Sequence, residues 1–197
     1  MFKGYGRPGG SGSLDTVAGM RQPPQTTGVR IRPMASTDFE AVLTINEANV
    51  PEVSSIDLEQ LAFLVAESAI ALVVDVEDVV VGFCLVLAPG STYQSVNYRW
   101  FMDRYDDAMY LDRVAFDEAF RGRGLGTALY GEVHERVCAI EGMNRWTLEV
   151  NADPPNVASL AFHAARGFVE VGQQHTPYGI TVSLMERPTQ PPSTPFS

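Results

Sequence analysis

The stretch FRGRGLGTALYGEV, Phe120 to Val133, constrains this chain more than any other part of it. Gly122, Gly124 and Gly126 alternate with Arg121, Arg123 and Leu125, and the apolar stripe Leu125, Leu129, Val133, Val137 follows at helical spacing. A helix therefore starts at these glycines with one face turned to a core. Its first N–H groups lack intrahelical partners and carry partial positive charge. Glycines remove the Cβ atoms that would hold an anion away from those donors. Arg121 and Arg123 add charge and forked hydrogen bonds. In a chain of net charge −10, that arrangement reads as a phosphate site.

The 197 residues are 45% hydrophobic, enough for one sizeable core, so a single domain is expected. The acidic balance excludes nucleic acid as a main partner, since duplex binding needs a basic face. Cys84 and Cys138 both lie in apolar runs without zinc-spaced neighbours, and read as small buried hydrophobes in a reducing compartment. Glu67, Asp75, Glu77 and Asp78 interrupt the most apolar region, Leu61 to Leu87, so no membrane span is expected. The N-terminus has no continuous apolar run of the kind a secretion signal needs. A cytoplasmic protein is the expectation.

Residues 1–28 and 188–197 are rich in Gly, Pro, Ser, Gln and Thr and read as disordered tails around a domain from Val29 to Arg187. Within it Val29–Arg32 is a short strand, and Thr37-x-x-Glu40 reads as a capping box opening a helix through Val42 and Leu43. Asp57 opens a second helix. The β-branched runs Ala69–Val76 and Val79–Leu87 form a hairpin around Glu77-Asp78. A polar, aromatic connection precedes a strand at Ala108–Phe116, and the glycine-led helix comes next. Arg145–Asn151 is a strand, NVASLAFHAARGF carries a helix ending at Gly167, and two strands close the domain near 168–173 and 180–186. This alternation predicts an α/β fold with a mixed central sheet flanked by helices.

Three phosphate loops compete for the glycine junction. A Walker loop needs Gly-Lys-Ser/Thr, which is absent, and a dinucleotide fingerprint starting at Gly122 would need Gly or Ala where Thr127 stands. What remains is Arg-x-x-Gly-x-Gly: Arg121, Gly124 and Gly126. That pattern resembles the pyrophosphate loop of the GNAT superfamily of acetyl-CoA-dependent N-acetyltransferases. Asn156 to Phe168 is similar to the same family's Asn-x-x-Ala-x-x-Leu-Tyr-x-x-x-Gly-Phe segment, with Ser159 at the small position, Phe162 at the apolar one and His163 where Tyr is usual.

The resemblance covers essentially the whole domain and implies the GNAT fold, with middle strands splayed apart. It implies that backbone groups of Val114, Ala115 and Phe116 pair with the pantetheine arm. The N–H groups of Arg121, Gly122, Arg123, Gly124, Leu125, Gly126 and Thr127 would hold the pyrophosphate, and Asn156 would contact the arm near its thiol. Acetyl-CoA is then the acyl-donor substrate, with no metal, and a primary amine the acceptor. No cysteine lies near the motifs, so direct transfer in a ternary complex is expected. Acetyl-CoA and the amine are the expected partners, without nucleic acid or membrane; a homodimer is left open.

The reaction needs a base for the amine proton and an acid for the departing thiolate. Glu149, in WTLEVNADPPN, resembles the Glu of the Leu-Glu-Val segment in ribosomal-protein alanine N-acetyltransferases and is the first candidate base. Asp112 is the second, expected to share side-chain parity with Val114 and Phe116. His163 stands where the family's acid does and would act if charged. Residues 46–57 and the stretch YRWFMDRYDD are expected to form the acceptor site, with Glu47, Glu52, Asp103, Asp106 and Asp107 as anions and Tyr98, Trp100 and Phe101 as walls. A second reading is a module that holds acyl-CoA without turnover, supported by His163 in place of Tyr.

Overall fold

In a computed structural model, residues 28–189 are described. Strands β1 (Val29–Pro33), β2 (Ser68–Val76), β3 (Val79–Leu87), β4 (Ala108–Phe116), β5 (Arg145–Asp153), β6 (Val169–His175) and β7 (Thr181–Pro188) form one seven-stranded sheet, ordered β1-β2-β3-β4-β5-β7-β6. Neighbours are antiparallel except β4 and β5, which run parallel. The α-helices are α1 (Phe39–Glu47), α2 (Leu58–Glu67), α3 (Val96–Met102), α4 (Leu125–Cys138) and α5 (Val157–Ala164).

Strand alternation divides the core between the two sheet faces. Val73, Phe83, Leu85 and Ala115 meet Val42 and Ile45 of α1 and Leu61 and Leu64 of α2 on one face. Leu72, Val74, Cys84, Val86, Trp146 and Leu148 meet Leu125, Leu129, Val133 and Val137 of α4 on the other. The predicted apolar stripe of α4 is therefore its buried face. The hairpin at Glu77-Asp78 is also present, with both residues in the left-handed region at φ 51° and 67°.

Several local expectations are corrected. Thr37 does not cap α1: a 3-10 turn, Ser36–Asp38, precedes it, and Asp38 accepts from the Ala35 N–H at 2.8 Å while pairing with Arg32. The capping box belongs to α2, where Asp57 and Gln60 exchange side-chain and backbone bonds at 2.8 and 3.0 Å. Part of the polar connection is α3, capped by Ser95, whose Oγ accepts from the Asn97 N–H at 3.2 Å. Cys84 is buried, with its thiol pushed up to about 12 by burial, but Cys138 is exposed. The last strand runs through Pro188, and Thr189 is buried with its N–H on the Asn144 carbonyl, so the folded domain extends past Arg187. The remainder of the two expected tails lies outside the described residues.

The feature that creates a site is an opening in the sheet. β4 and β5 pair only over Ala108–Leu111 and Arg145–Leu148, then separate. Beyond Leu111, β4 stays paired with β3 on one side and has no strand partner on the other among the described residues. The splay implied by the family resemblance is thus present.

Candidate active site

The cavity of about 600 Å³ at this opening is lined by Leu111–Val114 of β4, Leu148–Asn151 of β5, and Asn156, Ser159 and His163 around α5. Its remaining wall comes from Asn49–Ser54 after α1, Tyr93–Asn97 at the start of α3, and Pro177, Tyr178, Ile180 and Val182 at the β6–β7 connection and the start of β7.

Past Val114, the last β4 residue in the cavity wall, the chain turns from β4 into α4. Gly122 and Gly124 have φ of 72° and 80°, a region L-residues avoid, and a Cβ on either would meet nothing within 4 Å. Their first role is thus backbone conformation, with open space above them. The earliest α4 bond at this end runs from the Ala128 N–H to the Gly124 carbonyl, which leaves the N–H groups of Leu125, Gly126 and Thr127 for a ligand. Gly126 serves packing: a Cβ there would lie 3.4 Å from the Phe162 ring and 3.8 Å from Phe116.

Phe116 also lies over Gly82, where a Cβ would fall 2.3 Å from its ring. One aromatic side chain thereby joins β3, the end of β4 and the first turn of α4. Asn49 completes the joint, donating to the Ile45 and Phe116 carbonyls at 2.8 and 3.1 Å and accepting from Arg121 Nη2 at 2.6 Å. The Phe116 carbonyl is therefore not one of the free backbone groups expected of this strand. Arg123 lies over the Phe120 ring. A third cation escaped sequence reading: Arg166, after α5, sits 3.3 Å over the Phe162 ring and donates to Thr127 Oγ1 at 2.5 Å. The segments are 39 residues apart in the chain, and nothing local announces their meeting.

Glu149 lies where β5 leaves β4, half-buried in the cavity wall. Its Oε2 accepts from the Tyr110 hydroxyl at 2.6 Å and its Oε1 from Asn97 Nδ2 at 3.0 Å. Burial pushes its carboxyl up to about 7, with the Asp112 charge acting the same way and the Tyr110 and Asn97 bonds opposing. Burial and the Glu149 charge hold the Tyr110 phenol well above its ordinary range, so it remains a donor. Near neutral pH the Glu149 carboxyl is poised to gain or lose a proton.

Asp112 is placed differently from its expected parity. Leu85 pairs with Arg113 and Val86 with Leu111, so Asp112 is the extra residue of a β-bulge. Leu111, Val114 and Phe116 consequently pack into the same core cluster, a pattern regular alternation forbids. The Asp112 carboxylate is held by Arg113 Nε at 2.7 Å, both side chains being buried. Arg113 continues to Asn46 Oδ1 at 3.0 Å and the Ser54 carbonyl at 3.3 Å, fixing the connection after α1.

His163 is enclosed between Tyr130, Phe162 and Phe168. Its Nδ1–H donates to the Ser159 carbonyl at 2.8 Å, so Nε2 is the acceptor for the Tyr130 hydroxyl at 2.6 Å. Burial and the nearby Arg166 charge lower its pKa to about 4, against the Ser159 carbonyl. The imidazole is neutral at neutral pH, so the charge on which the acid role of His163 depends is not present there. Asn156 caps α5, its Oδ1 accepting from the Ser159 N–H at 3.0 Å. Its amide nitrogen, in the cavity wall, has no protein partner among the described residues.

The acceptor wall was anticipated in part. Asn49–Ser54, including Glu52, line the cavity. Tyr98 and Phe101 are core residues beneath β4 and β7, and Trp100 packs on Gly172. Asp107 pairs with Arg145 instead, and Glu47 accepts from the Ile56 N–H to hold the loop. Asp103 and Asp106 are not in the wall. Tyr93, Asn97 and Tyr178, which are in it, were not anticipated. Asn97 follows a Ser95 cap, and that Ser was the available signal.

A mixed sheet opened between parallel middle strands, with a glycine-led helix start at the opening, defines the GNAT class of α/β fold. The chain belongs to the acetyltransferase (GNAT) family, whose profile matches residues 34–168. Among solved structures it is similar to Ard1 from Thermoplasma volcanium, with 21% identity, TM-score 0.67, and coverage of 82% of this chain and 97% of that one. The ribosomal-protein-S18-alanine N-acetyltransferase from Escherichia coli matches at 18% identity and TM-score 0.64, covering 86% and 99%. Arabidopsis thaliana NAA60 in complex with acetyl-CoA matches at 18% identity and TM-score 0.65, covering 81% and 98%. No curated protein sequence matches the chain.

Proposed function

We propose that this protein transfers the acetyl group of acetyl-CoA directly to a primary amine, with Glu149 as the base. The observation that carries the reading is Glu149 at the strand opening, its carboxyl poised near pH 7 and facing the cavity. The N–H of Arg121, expected among the donors, is already on the Glu118 carbonyl at 3.2 Å, so the pyrophosphate rests on the N–H groups from Gly122 to Thr127, with the side chains of Arg121, Arg123 and Arg166 as the surrounding cations. The open space above Gly122 and Gly124 and the N–H groups of α4 that have no partner among the described residues fit such a group. The unpaired edge of β4 beyond Leu111 takes the pantetheine arm, and the Asn156 amide nitrogen supplies a donor near its end.

The amine nitrogen attacks the thioester carbonyl carbon while its proton passes to Glu149, directly or through one water. The carbon–sulfur bond breaks as the amide forms. Coenzyme A leaves as a thiolate, tolerable near neutrality for a thiol of ordinary pKa about 8.5, and takes its proton from water. Asp112, already committed to Arg113, contributes by raising the basicity of Glu149.

One observation favours a second reading. The neutral His163 carries no proton available to sulfur, which suits a module that binds acyl-CoA without turnover. Calorimetry with coenzyme A, followed by free-thiol release in a panel of N-terminal peptides, lysine peptides, polyamines and amino sugars, separates the two. Binding with thiol release supports transfer; binding without release by any amine supports the module; no binding removes both.

A further inference from the structure

Two polar side chains next to the base remain outside the reaction outlined above. Asn97 in α3 is 2% exposed, and Gln174 in β6 lies behind it, outside the cavity wall. Asn97 Nδ2 donates to Glu149 Oε1 at 3.0 Å and lies 3.4 Å from the Tyr178 hydroxyl. Asn97 Oδ1 accepts from Gln174 Nε2 at 2.8 Å. A primary amide has a donor end and an acceptor end, and only one orientation offers Glu149 a donor. Turned over, Asn97 would place its oxygen against a carboxylate and leave Tyr110 as the remaining side-chain donor. In the orientation found, the Gln174 Nε2 donates to the Asn97 oxygen at 2.8 Å, which reinforces the one that turns the Asn97 donor end to Glu149. The chain Gln174–Asn97–Glu149 therefore joins the edge strand, α3 and the reacting carboxyl through bonds that all point one way.

We propose that Asn97, its amide oriented by Gln174, is a positioning residue that presents the Glu149 carboxylate to the acceptor and sets how tightly it holds a proton. The proposal rests on the assignment of Glu149 as base. The titratable and charged groups around Glu149 are Tyr110 and the Asp112–Arg113 pair of β4, Tyr93 ahead of α3, and Tyr178 beyond β6. His163 of α5 lines the same cavity, and β7 places Leu184 opposite Glu149. Removing a donor from the charged form disfavours that form. Asn97→Ala and Gln174→Ala should both make Glu149 harder to deprotonate.

The test is a pH titration of the full chain labelled with 13C at the glutamate carboxyls, with Glu149→Gln identifying the Glu149 signal. Wild-type Glu149 should titrate near pH 7. Asn97→Ala should move it upward by about one pH unit, the scale of one hydrogen bond to a charged group. Gln174→Ala, which touches no substrate, should move it in the same direction by less. Free-thiol release should show its rise with pH displaced by the same amounts, with the Kd for acetyl-CoA unchanged. An unmoved Glu149 titration in both variants overturns the proposal. Should Asn97→Ala fail to fold, Gln174→Ala alone decides. If Glu149→Gln instead keeps wild-type release and its pH dependence, the base assignment fails, and the carboxyl titration still reads out the roles of Asn97 and Gln174.

Discussion

The Tyr130 hydroxyl stands 2.6 Å from Nε2 of His163, joining α4 to α5 at the cavity wall. The bond consumes the one imidazole nitrogen that could have taken up a proton, because Nδ1–H is already on the Ser159 carbonyl. His163 is thus held in one tautomer, with both ring nitrogens engaged.

That placement predicts a pH dependence of stability. His163 titrates near 4 folded, against an ordinary value of 6.5, so the unfolded chain binds more protons between those values. The neutral imidazole's contribution is complete above about pH 6.5 and is lost progressively as pH falls toward 4, up to about 3 kcal/mol. Urea unfolding of wild type and His163→Phe at pH 7 and pH 5 checks it. The wild type should lose more stability over that interval than the variant.

Gly124→Ala tests the loop. No side chain blocks a methyl group there, but φ of 80° strains any L-residue, by about 1–2 kcal/mol. If the loop relaxes away from its ligand geometry to relieve that strain, acetyl-CoA binding should weaken by about tenfold, the equivalent of 1.4 kcal/mol. Calorimetry measures the affinity, and thermal unfolding without ligand measures the strain.

The contact between Gly82 and Phe116 gives a third test. Gly82→Ala would put a methyl group 2.3 Å from the ring, and such overpacking costs about 1–3 kcal/mol. Because the same ring touches the first turn of α4, the shift should also reach the acetyl-CoA site. Shortening the aromatic partner, as in Gly82→Ala/Phe116→Leu, should recover part of the stability lost in the single variant. Denaturant unfolding of the two singles and the double makes a complete cycle.

Much of this architecture was legible from periodicity and punctuation. The α4 stripe and the Glu77-Asp78 hairpin carry strong local signals, and the two family motifs fall at the start of α4 and along α5. What escaped depends on distance or on irregularity. The α3 helix spans seven residues, too short for a periodic stripe, and its Tyr98 and Phe101 looked like a loop lining although they are core. The bulge at Asp112 has no local signature, yet it turns a candidate base into a partner of Arg113. Arg166 and Gln174 act through contacts across 39 and 77 residues of chain. Their roles emerge only once the sheet has closed around them.

The most direct measurement is free-thiol release against pH for wild type and Glu149→Gln, using an amine that supports turnover. Wild-type kcat/KM should rise as Glu149 deprotonates near pH 7. Glu149→Gln should lose about 100-fold or more in kcat, lose that rise, and bind acetyl-CoA with unchanged Kd. Wild-type turnover with an unaltered pH profile in Glu149→Gln would contradict the account.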